Sequence, residues 1–441
     1  MFAVEVNPDG TTDLLRTTGQ VVIDGGTVEV LAGAGNYAIT SDYTLIEAAG
    51  GVVRGGASNG FEGVTTNLAF LTPTLGYSAN AVTLNLTRND VDFTDVAATA
   101  NQRSVASAIQ SAGLGSALYD AVLYLDGAGA RGAFDLASGE IHASVRTAMV
   151  EDLRRPRAAV MQRLGTAPDG LGMWLQGFTS RGDNRDRPNA ARIERQTNGI
   201  IGGIDVGDAD ARGGLAIGYG SNDITGAARA SSARAKSLHV MAYGGARLAG
   251  LRLSVGAGYS DVDVDSERAP AFGGLSGNHT ASYGGSVLHG FADVGLPLAL
   301  GGGSVEPFAG IAHVEARTKA FTETGAGPLA LAADRAKDGF TLSTLGLRAE
   351  TSATGPLAVR ASAAWQHGFG TIAPVSNLRF AGGTAAPFRV AGAAIARDAA
   401  VLDVDLMWRL TDKMRFSLGY SGQLGANVQD HAGTVSLGFV F

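Results

Sequence analysis

The feature that most constrains this chain is a strict period of two from about residue 170 onwards. In Met414–Ser421 the even positions Met414, Phe416, Leu418 and Tyr420 are large and apolar, while Arg415, Ser417, Gly419 and Ser421 are polar or glycine. Leu402, Val404, Leu406, Trp408 and Leu410 alternate in the same way with Asp403, Asp405, Met407 and Arg409. The beat recurs in Leu251–Ser260 and Leu357–Gln366. Successive side chains of a strand point to opposite faces, so each segment makes one apolar and one polar face. Runs of about 8 to 11 residues also match a tilted strand that crosses a membrane.

Twelve segments of this kind are predicted, near 170–181, 196–206, 212–222, 235–248, 251–263, 280–297, 303–316, 338–350, 356–369, 399–410, 413–423 and 431–441. Their connections alternate in length. Short ones such as Ala249-Gly250 and Thr411-Asp412 follow long polar ones such as 182–195, 317–337 and 370–398. An outer-membrane barrel has short periplasmic turns and long outer loops. An even strand count with this rhythm predicts a mainly all-β chain whose residues 166–441 form a 12-stranded antiparallel transmembrane β-barrel. A soluble sandwich would alternate too, but its connections would not sort by length.

Composition agrees. The chain is 45% hydrophobic and 17% charged, with a mean hydropathy of +0.11. No stretch approaches the ~18 apolar residues of a membrane helix, so the apolar residues belong on alternating strands. With 34 Lys+Arg against 41 Asp+Glu the net charge is −7, and no basic excess is clustered, which argues against nucleic acid as a partner. Cysteine is absent. That excludes thiolate chemistry and disulfide scaffolds and suits export through an oxidising compartment. Met1–Gly10 has no basic segment followed by an apolar core, so it is not a secretory signal. Together with the short N-terminal region, this reads as a truncated or misassigned start.

Residues 1–93 read as short Thr/Val/Ile strands broken by Gly, Asn and Asp: Val21–Ile23, Thr27–Leu31, Tyr43–Ile46 and Val82–Leu86. This is strand-and-turn chemistry with the spacing of β-solenoid rungs. Residues 94–165 turn to Ala, Leu, Arg, Glu and Gln with apolar spacings of three and four, and read as helix. Pro156 is expected to kink or divide the last helix, with Arg155 biased out of the α region.

Motifs of enzymes fail on context. Gly56-Ala57-Ser58-Asn59-Gly60 fits a nucleophile elbow in letters but lies in a glycine-rich turn. Gly127–Gly132 fits a dinucleotide fingerprint without a βαβ unit, and is read as a helix-to-helix linker. The seven histidines have no ligand spacing. No catalytic residues, metal or cofactor are predicted. Arg181-Gly182-Asp183 falls at the expected first outer loop, where a host receptor could reach it. Its charged neighbours Arg185, Asp186, Arg187, Arg192, Glu194 and Arg195 favour a plain hydrophilic loop.

Specific blocks resemble the autotransporter (type V secretion) family. They are Ser286–Phe308, Phe321–Leu331, Ser343–Arg348, Gly419–Leu424 and the closing strand ending at Phe441. Val435, Leu437, Phe439 and Phe441 resemble the signal read by the barrel-assembly machinery. Upstream, Tyr37–Phe61 and Leu71–Arg88 resemble the last rungs of a β-helical passenger, and Ser138–Ala143 resembles the start of a helix that threads the barrel.

The resemblance implies a β-helical passenger end at 1–93, a helical junction and lumen-threading helix at 94–165, and a translocator barrel at 166–441. As helix, residues 141–164 span about 36 Å, more than the roughly 25 Å apolar band of such a barrel. A polar lumen would accept Arg154, Arg155, Arg157 and Arg163. Inward-facing Asp403 and Asp405 are candidate partners, the alternative being arginines solvated in a wet pore. Because residues 141–164 contain no Asn, the passenger is expected to stay attached.

The implied function is export and surface display of the chain's own N-terminal residues, driven by folding outside the cell rather than by ATP. Charged substitutions at Ile39, Leu45, Val82 or Leu84 would then reduce surface passenger. The implied partners are outer-membrane lipid, the barrel-assembly machinery, periplasmic chaperones and a host surface ligand, with a monomeric barrel. A surface adhesin and the carrier of an upstream hydrolase are the competing functions.

Overall fold

The structure is a computed structural model that describes residues 1–33, 41–166, 169–185, 187–351 and 355–441. Ile39 and Asp186, named above, and the first four residues of the Tyr37–Phe61 segment lie outside the described residues.

Strands Phe2–Val6, Thr27–Ala32 and Gly63–Thr66 stack in parallel, with Val4 opposite Val30 and Val30 opposite Thr66. Leu15–Thr17 stacks on Ser41–Ala48, and Val21–Ile23 on Val52–Arg54, also in parallel. These are successive rungs of a short solenoid. Its inward residues Val6, Val28, Val30 and Leu45 are completely buried. The antiparallel hairpin Leu71–Tyr77 with Ala81–Arg88 pairs onto Ser41–Ala48 and ends the stack. Gly56–Gly60 lies in the turn before Gly63–Thr66, as expected, with Asn59 at φ 50° and Gly60 at φ 133°.

Three short helices follow: α1 (Ala100–Ser111), α2 (Ala117–Leu123) and α3 (Gly127–Ala137). Each has a side-chain N-cap. Thr99 accepts from the Gln102 amide while Gln102 reaches back to the Thr99 amide, and Ser116 and Asp126 cap α2 and α3. Such caps satisfy N–H groups that have no partner within the helix. Gly127–Gly132 is therefore not a linker: it is the first half of α3, started by the Asp126 carboxylate.

The barrel strands are Gly170–Asn184, Ile193–Gly207, Ala211–Gly226, Ser231–Leu248, Leu251–Arg268, His279–Gly295, Gly303–Thr318, Ala336–Thr351, Leu357–Phe369, Asp398–Thr411, Met414–Gly425 and Val428–Val440. Each runs antiparallel to the next, and the last pairs with the first, Leu437 opposite Leu175 and Val440 opposite Gly172. Closure removes both sheet edges, the condition for a sheet to span a bilayer. The outward positions of the alternation, such as Leu175, Ile217, Val240, Val255, Leu288 and Leu345, are about half exposed. This is the lipid face. Gln176, Thr197, Ser254, Ser260 and Gln423 point inward and are buried.

Leu248 and Leu251 are joined by Ala249 (φ 51°) and Gly250 (φ 82°). Positive φ at both central residues matches the right-handed strand twist in a two-residue hairpin. The long loops differ from the plain polar connections expected. Phe321–Thr322, Leu331–Ala333, Val375–Phe380 and Phe388–Ala391 build a separate antiparallel sheet at the long-loop end of the barrel. Leu331, Leu378, Phe380, Phe388 and Val390 share one apolar core with α1–α3 and the solenoid. The N-terminal region is thereby seated on the outer mouth.

Candidate functional site

The lumen is filled by two helical segments, α4 (Ile141–Asp152) and α5 (Arg154–Thr166). The break falls at Leu153 rather than at Pro156 itself, and Arg155 is helical. A proline ring clashes with the carbonyl four residues earlier, here that of Asp152, so α4 ends there and Pro156 sits in the first turn of α5, where no N–H is needed. The α conformation of Arg155 is held by its side chain, which donates to Ser421 Oγ at 3.0 Å and pairs with Asp430.

At the outer end, α4 is gripped by loops. The Glu140 carboxylate accepts from the Ala191 amide at 2.6 Å and from Arg229 Nε at 3.2 Å. Burial pushes the Glu140 carboxyl up to about 7, against the opposing pull of Arg229. His142 Nε2 lies 2.7 Å from Glu323 Oε1, and Arg268 donates to both oxygens of Glu323, at 2.7 and 3.0 Å. Burial pushes the Glu323 carboxyl up, but its bonds to His142 and Arg268 win and hold it well below the usual carboxylate range. Arg146, 1% exposed, donates from Nε to Asp338 at 2.5 Å and from Nη2 to the Val375 carbonyl at 2.7 Å.

In the middle, Val145, Met149 and Leu153 pack on Val262, Val264, Val287 and Val314. Lower down, Ala159 and Val160 pack on Trp174, Phe178, Tyr243 and Phe291. Arg163 clasps Asp205 with Nε to Oδ2 at 2.7 Å and Nη2 to Oδ1 at 2.9 Å. Tyr243 Oη donates to the same Asp205 at 2.9 Å and accepts from Trp174 Nε1 at 2.7 Å.

The expected ion pairs are corrected in part. Asp403 and Asp405 do face the lumen, but Asp403 accepts from Ser362 and Asp405 from Gln162. Arg155 meets Asp430 and Arg163 meets Asp205, while Arg154 bonds Gln423 and lies 3.9 Å from Glu151. Arg157 lines a cavity of about 210 Å³ beside the helix, together with Arg348, Arg360, Asp403 and Asp405. Helix rotation decides these pairings, and the strand pattern does not encode it. Parity could have found Asp205, which alternates with Ile204 and Val206 as Asp403 does with Leu402 and Val404.

Arg181-Gly182-Asp183 is also corrected. It lies inside the first barrel strand, paired on both sides, Gly182 opposite Arg195 and Asp430. It does not lie at a loop tip. Asp183 is engaged by Arg192 at 3.4 Å. Val435 and Phe439 face lipid opposite Gly177 and Met173, and the Phe441 amide donates to the Leu171 carbonyl at 3.0 Å. These residues of the last strand thus form the seam that closes the barrel.

A closed 12-stranded outer-membrane barrel with a helix through its lumen and a β-rich segment on its outer mouth is the architecture of a translocator. The model of the autotransporter β-domain matches residues 173–421, more than half of the chain, and the chain belongs to the autotransporter family. It resembles two extracellular serine proteases of Serratia marcescens, 26% and 25% identical over its whole length. The chain spans 48% of each, about half the length of these curated relatives. The translocator domain of the autotransporter NalP from Neisseria meningitidis shares the fold, with a TM-score of 0.57 at 15% identity over 68% of this chain and 99% of that one. The barrel lies in the outer membrane.

Proposed function

We propose that this chain exports and displays its own N-terminal residues, with 1–93 the end of a β-helical passenger, 94–165 the junction and tether, and 166–441 the translocator. The reading rests on one observation. The polypeptide leaves the solenoid and α1–α3 at the outer mouth, runs down the lumen as α4 and α5, and begins the first barrel strand at Gly170. A chain so threaded has its N-terminal part on the far side of the membrane from the barrel's short turns.

Folding of the buried solenoid residues outside supplies the driving force, because a folded stack cannot slide back through an occupied pore. No ATP is used. The closing strand with Val435, Leu437, Phe439 and Phe441 is what the barrel-assembly machinery reads after periplasmic chaperones deliver the chain. The barrel works as a monomer, and the passenger stays attached through α4 and α5.

Protease treatment of intact cells tests this, with an epitope tag at residue 1. Loss of the tag, leaving a protected piece of about 28 kDa scaled from the 44.8 kDa chain, is the expected result. A tag lost only after lysis would place residues 1–93 in the periplasm and end the secretion reading.

A second reading concerns the cargo. The names of the two Serratia relatives favour a serine-protease passenger over an adhesin. Labelling the surface-exposed gene product with a fluorophosphonate is expected to mark it, and the barrel itself is expected to stay unlabelled.

A further inference from the structure

We propose that residues 319–335, between the seventh and eighth barrel strands, form a strap that closes over the outer mouth only when α4 is seated beneath it. The inference rests on the export reading above and adds its regulation. The strap registers the end of transport and then holds the lumen helix in place.

The closed strap is built on one buried carboxylate. Glu323, 4% exposed, accepts from Arg268 Nε and Nη2 at 2.7 and 3.0 Å and from the Leu331 amide at 2.8 Å. His142 Nε2 lies 2.7 Å from its Oε1. A carboxylate only accepts, so His142 carries its proton on Nε2. Leu331 belongs to the strap and Arg268 to the fifth strand, but His142 belongs to α4. Arg268 also donates to the Leu329 carbonyl of the strap at 2.9 Å and to the Leu136 carbonyl, at the end of α3, at 3.2 Å.

Packing repeats the dependence. Phe321 lies parallel to Tyr283 with ring centroids 4.0 Å apart, and the His142 ring is 4.6 Å away. Leu331 rests directly on Gly139, where a Cβ would overlap Leu331 Cδ1. Gly139 has φ 63°, a conformation that glycine adopts freely.

Without α4 the strap loses a donor to Glu323, one neighbour of Phe321 and the floor under Leu331. A buried acceptor left short of a partner is costly. The strap's other bonds to the wall include an exposed bridge, in which Thr280 and Thr324 exchange amide–carbonyl bonds of 2.9 and 2.8 Å. Gly325 and Gly327, at φ 136° and 94°, lie near its tip and take up backbone rearrangement at little cost. Leu136, Gly139 and His142 lead directly into the lumen helix. Any earlier segment passing the mouth presents other residues to the strap, so closure waits for α4.

The chain has no cysteine, so a single thiol can report on the strap. Ala332 is 3% exposed, and Ala332→Cys reacts with a maleimide only when the strap lifts, at a rate set by the open fraction. In the purified full chain, His142→Ala is expected to raise that rate about tenfold, the scale of a lost bond to a charged group. His142→Gln keeps a donor and should restore slow labelling. Gly139→Ala should speed labelling without removing a polar side chain. A second reporter, Ala216→Cys in the lumen wall, should label at one rate in every background, which separates strap opening from loss of the barrel fold.

In cells, pulse–chase with a membrane-impermeant maleimide sets the order. The strap thiol should become protected with or after the arrival of the residue 1 tag at the surface. A His142→Ala rate equal to the parent's, or protection that precedes the tag, would overturn the proposal. A tag that never reaches the surface would end the export reading, and the rates in purified protein would still decide whether α4 governs the strap.

Discussion

Arg163 in the lumen helix and Asp205 on the second barrel strand face each other as fork to carboxylate, with paired bonds of 2.7 and 2.9 Å. Asp205 is fully buried and also serves Tyr243 and Arg212, so one carboxylate ties the helix to three strands at the periplasmic end.

Removing Asp205 leaves the buried Arg163 without its counter-charge, which typically costs about 3–5 kcal/mol, whereas removing Arg163 leaves Asp205 still paired with Arg212 and costs less. Arg163→Gln and Asp205→Asn are both expected to loosen the lower half of the helix. Asp205→Asn should do more, because it deprives three donors at once. Conductance of the purified protein in planar bilayers is the measurement: both variants should open larger and more frequent currents than wild type. Unchanged currents would mean that apolar packing around Val160 alone keeps the pore shut.

Glu140 makes the outer grip sensitive to pH. Its carboxyl is raised by burial from an ordinary 4.5 to about 7, with Arg229 opposing. The seated state therefore holds a proton that a released Glu140 gives up. Its contribution is full below about pH 4.5 and is lost as pH rises through about 7, a change of up to about 3 kcal/mol. Hydrogen exchange of the Glu140–Val145 amides should be slower at pH 5.5 than at pH 8 after correction for intrinsic rates. Glu140→Gln should flatten that difference, and persistence of the full difference in the variant would exclude Glu140 as its source.

Gly392 lets an outer loop lie directly on α4. A Cβ at this position would stand 2.5 Å from the Ser144 amide nitrogen and 2.7 Å from the Ala143 carbonyl carbon. The Ala393 amide next to it donates to Ser144 Oγ at 2.9 Å, and its carbonyl accepts from Thr147. Gly392→Leu is expected to lift the loop at about 1–3 kcal/mol. Limited proteolysis within 370–398 should become faster while the barrel stays intact.

Leu45, Val82 and Leu84 are all completely buried in the solenoid end. An aspartate at Leu84 puts an unpaired charge into that core, which exceeds what a short stack tolerates. Surface exposure of the N-terminal tag should fall several-fold, with the barrel still heat-modifiable. A variant that displays its tag normally would argue against folding as the driving force.

Much of the barrel was legible because a strand's side-chain period is local. Met414, Phe416, Leu418 and Tyr420 must share a face whatever surrounds them, and all twelve strands fall where alternation places them. The loop sheet was less legible. Leu331, Leu378, Phe380 and Val390 carried the apolar signal, but short strands separated in sequence declare no partner until the loops meet over the barrel mouth.

The sequence by itself determined the strand count, the inward and outward residues, and a helix rich in arginine between a β-rich head and the barrel. Those follow from nearest-neighbour geometry along the chain. Only the tertiary structure decided that Arg163 meets Asp205 and Arg155 meets Asp430, that Arg157 faces open space, and that α4 breaks at Leu153. These depend on how far the helix is turned and how deep it sits among twelve strands. Distances across a lumen are set by closure of the whole sheet, which no short stretch of sequence contains.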